Sequence, residues 1–124
     1  MDPRKEFGEA GESLAVAYVK GKGMHVLDRN VETHFGEIDI VGEEADEIVF
    51  IEVKTRQNDE YGHPEEAITA TKFRHMKASA EAYLDTYGLE KRFWRLDVIA
   101  IRVYPDCEPE IIHLKAIDGP AGRC

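Results

Sequence analysis

The stretch GEIDIVGEEADEIVFIEVKTR, residues 36–56, places charged side chains inside two apolar runs. Asp39 lies within the first run, and Glu52 and Lys54 close the second. Carboxylate oxygens are ligands that Mg²⁺ prefers, and a bound Mg²⁺ acidifies water and neutralises charge on a phosphate. A lysine beside them can orient the attacking water or stabilise the charge that develops in the transition state. Together these residue types indicate phosphodiester hydrolysis.

Whether these side chains meet depends on how the two runs pair. Both runs read as β-strands, and the polar connector between them predicts an antiparallel hairpin. If Val41 pairs with Ile48, Asp39 and Glu52 become diagonal neighbours on one face, and Glu37 lies opposite Glu52. A slip of one residue would send Asp39 to the other face, so the register decides whether a site exists.

The same charges also have an ordinary interpretation. They can line the solvated face of the hairpin, with Glu52 and Lys54 paired only with each other. The apolar residues on both sides of them favour strands that are buried on both faces instead, where charges need partners or a metal.

The elements that must position these residues follow from the hydrophobic periodicity. Apolar residues at helical spacing predict one helix over 7–20, whose firm part begins near Gly11, and a longer helix over about 71–87. Strands are predicted over 24–31, 36–41, 47–54, 93–103 and 110–114. A polar loop is expected over 55–63, and Pro64 is suited to the first turn of a helical segment over 64–68. This order predicts an α/β or α+β sheet with helices on its faces.

Length and composition limit the class of protein. A chain of 124 residues suits one domain, in which we expect 115–124 to be a frayed tail. The apolar stretches are too short for a membrane helix, and the charged start lacks a secretory signal, so we expect a cytoplasmic protein without a membrane partner. The net charge of −9 argues against broad electrostatic attraction to nucleic acid.

Several motifs together resemble the YraN family of uncharacterised bacterial proteins, in the restriction-endonuclease-like superfamily. They cover most of residues 8–101: GEAGESLAVAYVKGKG, DRN, GEIDIV, FIEVKTR, YGHPEEAI, Lys72 and RLDVIAI. Asp39, twelve intervening residues and Glu52-Val53-Lys54 resemble the PD-(D/E)xK signature of the nucleases in that superfamily.

The resemblance implies a restriction-endonuclease-like core of order α-β-β-β-α-β, with a mixed central sheet flanked by helices, as in archaeal Holliday-junction resolvases. It implies that Asp39 and Glu52 bind Mg²⁺ or Mn²⁺ and that Lys54 is the catalytic lysine. Glu12 matches an acidic residue of the first helix that reaches the metal in related resolvases, and Glu9 is the competing candidate.

Other residues within the motifs keep two interpretations each. Glu37 is either a further metal ligand or a residue that holds the hairpin through a neighbouring base. Arg56 and Lys72 are either phosphate contacts or ordinary solvated bases. Asp97 is expected to be structural, paired with Arg95 or Arg56.

The function implied by the resemblance is that of a metal-dependent endonuclease acting on DNA, including branched or damaged DNA. The alternatives are a non-catalytic nucleic-acid-binding module and a protein-interaction module that keep the nuclease fold. A bound divalent ion, or a homodimer that aligns basic edges, would offset the acidity of the chain locally.

Overall fold

The computed structural model describes residues 3–57 and 68–119. They form two helices and five strands: α1 (Pro3–Gly21), β1 (His25–Thr33), β2 (Gly36–Glu44), β3 (Glu47–Arg56), α2 (Ala70–Thr86), β4 (Phe93–Arg102) and β5 (Glu110–Leu114). This order confirms the predicted α-β-β-β-α-β core and adds β5, which has the bounds expected from the sequence.

All five strands form one mixed sheet in the order β1-β2-β3-β4-β5. Strands β3 and β4 run parallel, and the other neighbouring pairs are antiparallel. Parallel neighbours need a long crossover connection, and α2 lies within the crossover from β3 to β4. The predicted α/β class is therefore confirmed.

An apolar core covers each face of the sheet. On one face Val16 of α1 packs in a cluster with Ile51, and on the other Met76 of α2 packs in a cluster with Phe50. Strand β3 contributes to both cores, so 48–51 are all buried. Full burial of one such side chain contributes about 1.5–3 kcal/mol to the stability of the fold. The central strands are buried on both faces, as the sequence predicts.

Helix α1 begins earlier than the sequence indicates. We expected its firm part to begin near Gly11, whereas the helix starts at Pro3. Proline is favoured in a first helical turn, and Gly11 has a packing role instead. A Cβ on Gly11 would lie 2.0 Å from Thr55 Oγ1, so the glycine allows α1 to approach β3 closely. Within the described residues, neither helix has the length and apolar character needed to span a membrane.

The register of the β2–β3 hairpin differs from the predicted one by two residues. Val41 pairs with Phe50 rather than with Ile48. A shift by two keeps the paired residues 40–44 and 47–51 on their predicted faces, because the side-chain period of a strand is two. Ile38 packs in the cluster with α2 and Ile40 in the cluster with α1, so this alternation is interrupted at Asp39. The observed ladder ends at Ile40↔Ile51, one residue before Asp39 and Glu52, so the predicted diagonal pairing of these two residues within the ladder was wrong.

The register was wrong because the connection is shorter than the polar sequence over 42–46 suggests. Strands β2 and β3 continue to Glu44 and Glu47, so only two residues, 45 and 46, form the turn. Three ion pairs hold the polar ends of these strands. Arg92 binds Glu43, and Arg95 binds both Glu44 and Glu47.

Other boundaries differ by one or two residues. Strand β3 extends to Arg56, so 55–56 are strand rather than loop, because they pair with β4 at Ile101 and Arg102. Residues 58–67, which hold most of the predicted loop and most of the predicted helical segment at Pro64, lie outside the described residues.

A buried ionic cluster on β4 anchors the segment after β5. The fully buried Asp97 accepts hydrogen bonds from Arg95 Nε (3.0 Å) and the Ala116 N–H (2.9 Å), and it contacts His113 Nε2 (2.7 Å). Burial raises the pKa of Asp97, but the hydrogen bonds with His113 and Arg95 outweigh it and lower the pKa. The predicted pairing of Asp97 with Arg95 is confirmed. Through Ala116, the first part of the expected frayed tail is attached to the sheet, and 120–124 lie outside the described residues.

We predict that Asp97→Ala lowers the free energy of unfolding by about 3–5 kcal/mol, because it removes the fully buried counter-charge of Arg95 and leaves His113 and the Ala116 N–H without this acceptor. Urea denaturation of both proteins measures this difference. The exposed Asp85→Ala on α2 is the matched control and should change stability by about 0.5 kcal/mol or less. A loss in Asp97→Ala no larger than that of the control would contradict the structural role.

Candidate active site

The candidate site forms where the two central strands separate. Pairing between β2 and β3 runs from Glu44↔Glu47 to Ile40↔Ile51 and ends there. Beyond that point β2 continues along β1, while β3 continues along β4. At the division the Val53 N–H donates a hydrogen bond to Asp39 Oδ2 (2.8 Å). A side-chain carboxylate thus takes the place of a backbone partner and lies between the diverging strands.

Three carboxylates converge at this division. Glu12 of α1 and Glu37 and Asp39 of β2 each place a carboxylate oxygen within 4.8 Å of the others. We call these three residues the acidic cluster. Their ligand atoms are all oxygens, which suits Mg²⁺ or Mn²⁺ better than metals that prefer nitrogen or sulfur.

The electrostatics of the acidic cluster favour a bound cation. Burial raises the pKa of Asp39 to about 7, and the nearby negative charge of Glu52 adds to the rise. The hydrogen bond from Val53 lowers that pKa only in part. Burial also raises the pKa of Glu12, and the charge of Arg29 offsets this incompletely.

One oxygen of the acidic cluster is buried without a hydrogen-bond donor. Glu12 Oε1 is this atom, and its nearest positive group is Arg29 Nη2 at 3.6 Å, beyond hydrogen-bond length. A buried carboxylate oxygen without a donor is costly unless a cation or water satisfies it. The residues present therefore fit a hard divalent cation.

Two lysines lie on the α2 side of the division. Glu52 is only 7% exposed, and its Oε2 lies 3.4 Å from Lys54 Nζ and 3.2 Å from Lys72 Nζ. Lys72 belongs to the first turn of α2, where its backbone N–H is capped by the Thr69 hydroxyl. A buried carboxylate thus holds two ammonium groups together at the edge of the acidic cluster.

The structure brings most of the predicted site residues to this division. Asp39, Glu52 and Lys54 lie there, and Glu12 rather than the exposed Glu9 joins the acidic cluster. Their chemical roles stay predictions. Arg56 is the last residue of β3, two positions beyond Lys54, and its Nη1 donates a hydrogen bond to the Thr55 carbonyl.

Sequence reasoning left the role of Glu37 open and missed one relationship within the site. It expected Glu12, Asp39 and Glu52 as metal ligands, with Glu37 as either a further ligand or a structural residue, whereas the carboxylates that lie together are Glu12, Glu37 and Asp39. It missed Arg29 as the counter-charge of Glu12, although the DRN motif around Arg29 was a signal.

The fold and the site together define a mixed α/β domain with a cluster of carboxylates where its sheet divides. The chain belongs to the uncharacterised protein family UPF0102, whose family model matches residues 11–101. This is the YraN family, so the membership of that family predicted from the motifs is confirmed.

Similar proteins occur in diverse bacteria. A UPF0102 protein of Caldicellulosiruptor saccharolyticus is 39% identical over 114 residues, which cover 92% of this chain and 95% of the relative. One of Dehalococcoides mccartyi is 44% identical over 98 residues, covering 79% and 81%. One of Mycolicibacterium vanbaalenii is 37% identical over 116 residues, covering 94% and 96%.

We predict that Asp39 makes stability fall as pH rises when divalent cations are removed by a chelator. The pKa of Asp39 is about 7 in the folded protein and near its ordinary 3.8 in the unfolded chain. Between these values the folded protein binds a proton that the unfolded chain has lost, so the free energy of unfolding decreases with pH.

Asp39→Asn should remove this decrease, because the amide carries no charge and still accepts from Val53. The variant should be more stable than the wild type by about 1–3 kcal/mol at pH 8 and should differ least near pH 4. Urea denaturation across this pH range measures the difference. Asp46→Asn, in the exposed hairpin turn, is the control and should keep the wild-type pH dependence. An Asp39→Asn protein less stable than wild type at pH 8 would overturn the prediction.

Proposed function

We propose that the protein is a metal-dependent nuclease that hydrolyses phosphodiester bonds in DNA. The observation that carries the proposal is the position of Asp39 at the strand division, within reach of Glu12 and Glu37 and near the Glu52–Lys54 pair. Carboxylates beside an ammonium group are a combination that supports metal-dependent phosphodiester hydrolysis.

The acidic cluster would hold Mg²⁺ or Mn²⁺, with Glu52 as a further carboxylate across the division. When bound, such an ion supplies an acidified water and neutralises charge on the phosphate. The Val53 N–H fixes the Asp39 carboxylate so that it reaches the division in one orientation. Lys54, held 3.4 Å from Glu52, would orient the attacking water or stabilise the developing negative charge.

We propose that the chain belongs to the restriction-endonuclease-like superfamily and that its fold resembles that of archaeal Holliday-junction resolvases. Two features support this placement: the order α-β-β-β-α-β, and the Asp39–Glu52–Lys54 signature on strands that diverge at one end of the sheet. By the same comparison the substrate is DNA, including branched or damaged DNA.

Binding of DNA by the site would depend on a few basic side chains near it. The chain as a whole carries a net charge of −9, which repels the phosphates of a DNA duplex except where basic residues cluster. Lys72 lies at the N-terminus of α2, whose dipole also favours a phosphate, and Arg56 ends the strand that carries Lys54. We propose both as phosphate contacts, and a homodimer that aligns these basic edges would strengthen them.

We predict cleavage of at least one member of a substrate panel of duplex, single-stranded, flapped and four-way DNA in Mg²⁺ or Mn²⁺. Asp39→Ala and Lys54→Ala should each reduce the cleavage rate by about 100-fold or more, because each removes a group that stabilises the transition state. Gel electrophoresis of end-labelled DNA measures the rate. The exposed Lys91→Ala is the matched control and should cleave at the wild-type rate.

Cleavage that persists in Asp39→Ala or Lys54→Ala would remove that residue from the mechanism. Salt-sensitive DNA binding that is unchanged by chelator, without cleavage of any substrate, would favour the non-catalytic nucleic-acid-binding module. A protein that neither binds nor cleaves DNA would contradict both and leave a protein-interaction module.

A further inference from the structure

The turn between β1 and β2 presents an exposed pair of aromatic rings. Phe35 is 47% exposed, and its ring meets the ring of the exposed His34 edge to face, with the ring centroids 5.4 Å apart. A phenylalanine that is about half exposed contributes less to stability than a buried one, because part of its apolar surface stays in contact with water. The pair has no role in either apolar core of the sheet.

Hydrogen bonds hold this turn in one conformation. The Thr33 hydroxyl accepts from the Phe35 N–H (3.1 Å) and donates to the Gly36 carbonyl (2.7 Å). Thr33 Oγ1 also lies 2.9 Å from Oγ of Ser79, which is buried on α2. Gly36 has a φ of 138°, a backbone conformation that favours glycine and closes the turn. These contacts hold the backbone of the turn that carries the two rings.

The turn lies at the end of the sheet that carries the candidate site. Glu37, a member of the acidic cluster, follows Phe35 by two residues, so their Cα atoms are within about 7 Å. The other strongly exposed phenylalanine, Phe93, pairs with Glu47 at the opposite end of the sheet. The His34–Phe35 turn thus forms part of the rim of the acidic cluster.

The charge of the chain limits how DNA can reach this site. With a net charge of −9, general attraction to phosphates is a weak source of affinity. Stacking of a nucleobase on an aromatic ring contributes affinity without depending on net charge. Bases inside an intact duplex are stacked on each other, so a protein ring can take up a base only where the base is unpaired.

We propose that the His34–Phe35 turn stacks against an unpaired nucleobase next to the phosphate that is cleaved, so that the site takes DNA with single-stranded or branched regions in preference to intact duplex. This inference rests on the proposed nuclease function and gives its substrate class. The unpaired base docks on a rigid ring, and the neighbouring phosphate then lies beside the acidic cluster and the Glu52-bound lysines.

We predict that Phe35→Ala weakens binding of a single-stranded flap by about 10-fold or more and leaves binding of a blunt duplex unchanged. Fluorescence anisotropy with chelator present measures binding without cleavage. A 2-aminopurine base in the flap reports stacking directly, and its fluorescence should be quenched by the wild type and by Phe35→Trp but not by Phe35→Ala. Phe93→Ala, an exposed phenylalanine at the far end, is the matched control and should behave as wild type.

The outcomes separate this inference from the proposed function. Flap binding and quenching in Phe35→Ala equal to those of the wild type would overturn the inference, even if the wild type cleaves DNA. Base stacking that depends on Phe35, without cleavage of any substrate in Mg²⁺ or Mn²⁺, would support recognition of unpaired bases and overturn the nuclease function. Equal wild-type affinity for flap and duplex would also overturn the preference proposed here.

Discussion

The hydrogen bond from the Val53 N–H to the Asp39 carboxylate is the interaction on which the site depends. It stands where the β2–β3 ladder ends, so it satisfies a backbone donor that would otherwise lose its strand partner. It also fixes a carboxylate in a gap between two buried strands, close to other negative charges. The division of the sheet and the formation of the acidic cluster are consequences of the same local geometry.

Buried carboxylates that lie close together oppose folding, so the stability of the folded protein must come from other parts of the molecule. The apolar cores on both faces of β3 and the Asp97–Arg95–His113 cluster supply it at positions away from the division. The two helices then complete the site from opposite faces. Gly11 allows α1 to approach β3 so that Glu12 reaches Asp39, and α2 brings Lys72 to Glu52. Packing of the helices therefore determines the geometry of the charges.

The sequence was sufficient for the element order and for the two buried faces of β3, because the alternation of side chains along that strand fixes which of them point together. It was not sufficient for the register. The polar residues 42–44 read as a loop, but ion pairs such as Glu44–Arg95 keep them in a strand. Those pairs join residues about fifty positions apart, and no local pattern announces them.

The site shows the same difference between local and tertiary information. Asp39, Glu52 and Lys54 could be recognised from their spacing, whereas the place of Glu37 in the acidic cluster required knowledge of how β2 leaves β3. The contact of Lys72 with Glu52 likewise depends on where α2 begins and how it packs. Glu12 could be selected over Glu9 only once the rotation of α1 was known.

Binding of a divalent cation by the acidic cluster can be measured by titration calorimetry with Mn²⁺. We expect saturable binding of Mn²⁺ to the wild type and its loss in Glu37→Gln, with exposed Glu81→Gln on α2 binding as the wild type does. A wild type without saturable Mn²⁺ binding, or a Glu37→Gln protein that binds Mn²⁺ as tightly as the wild type, would contradict a cation site in the acidic cluster.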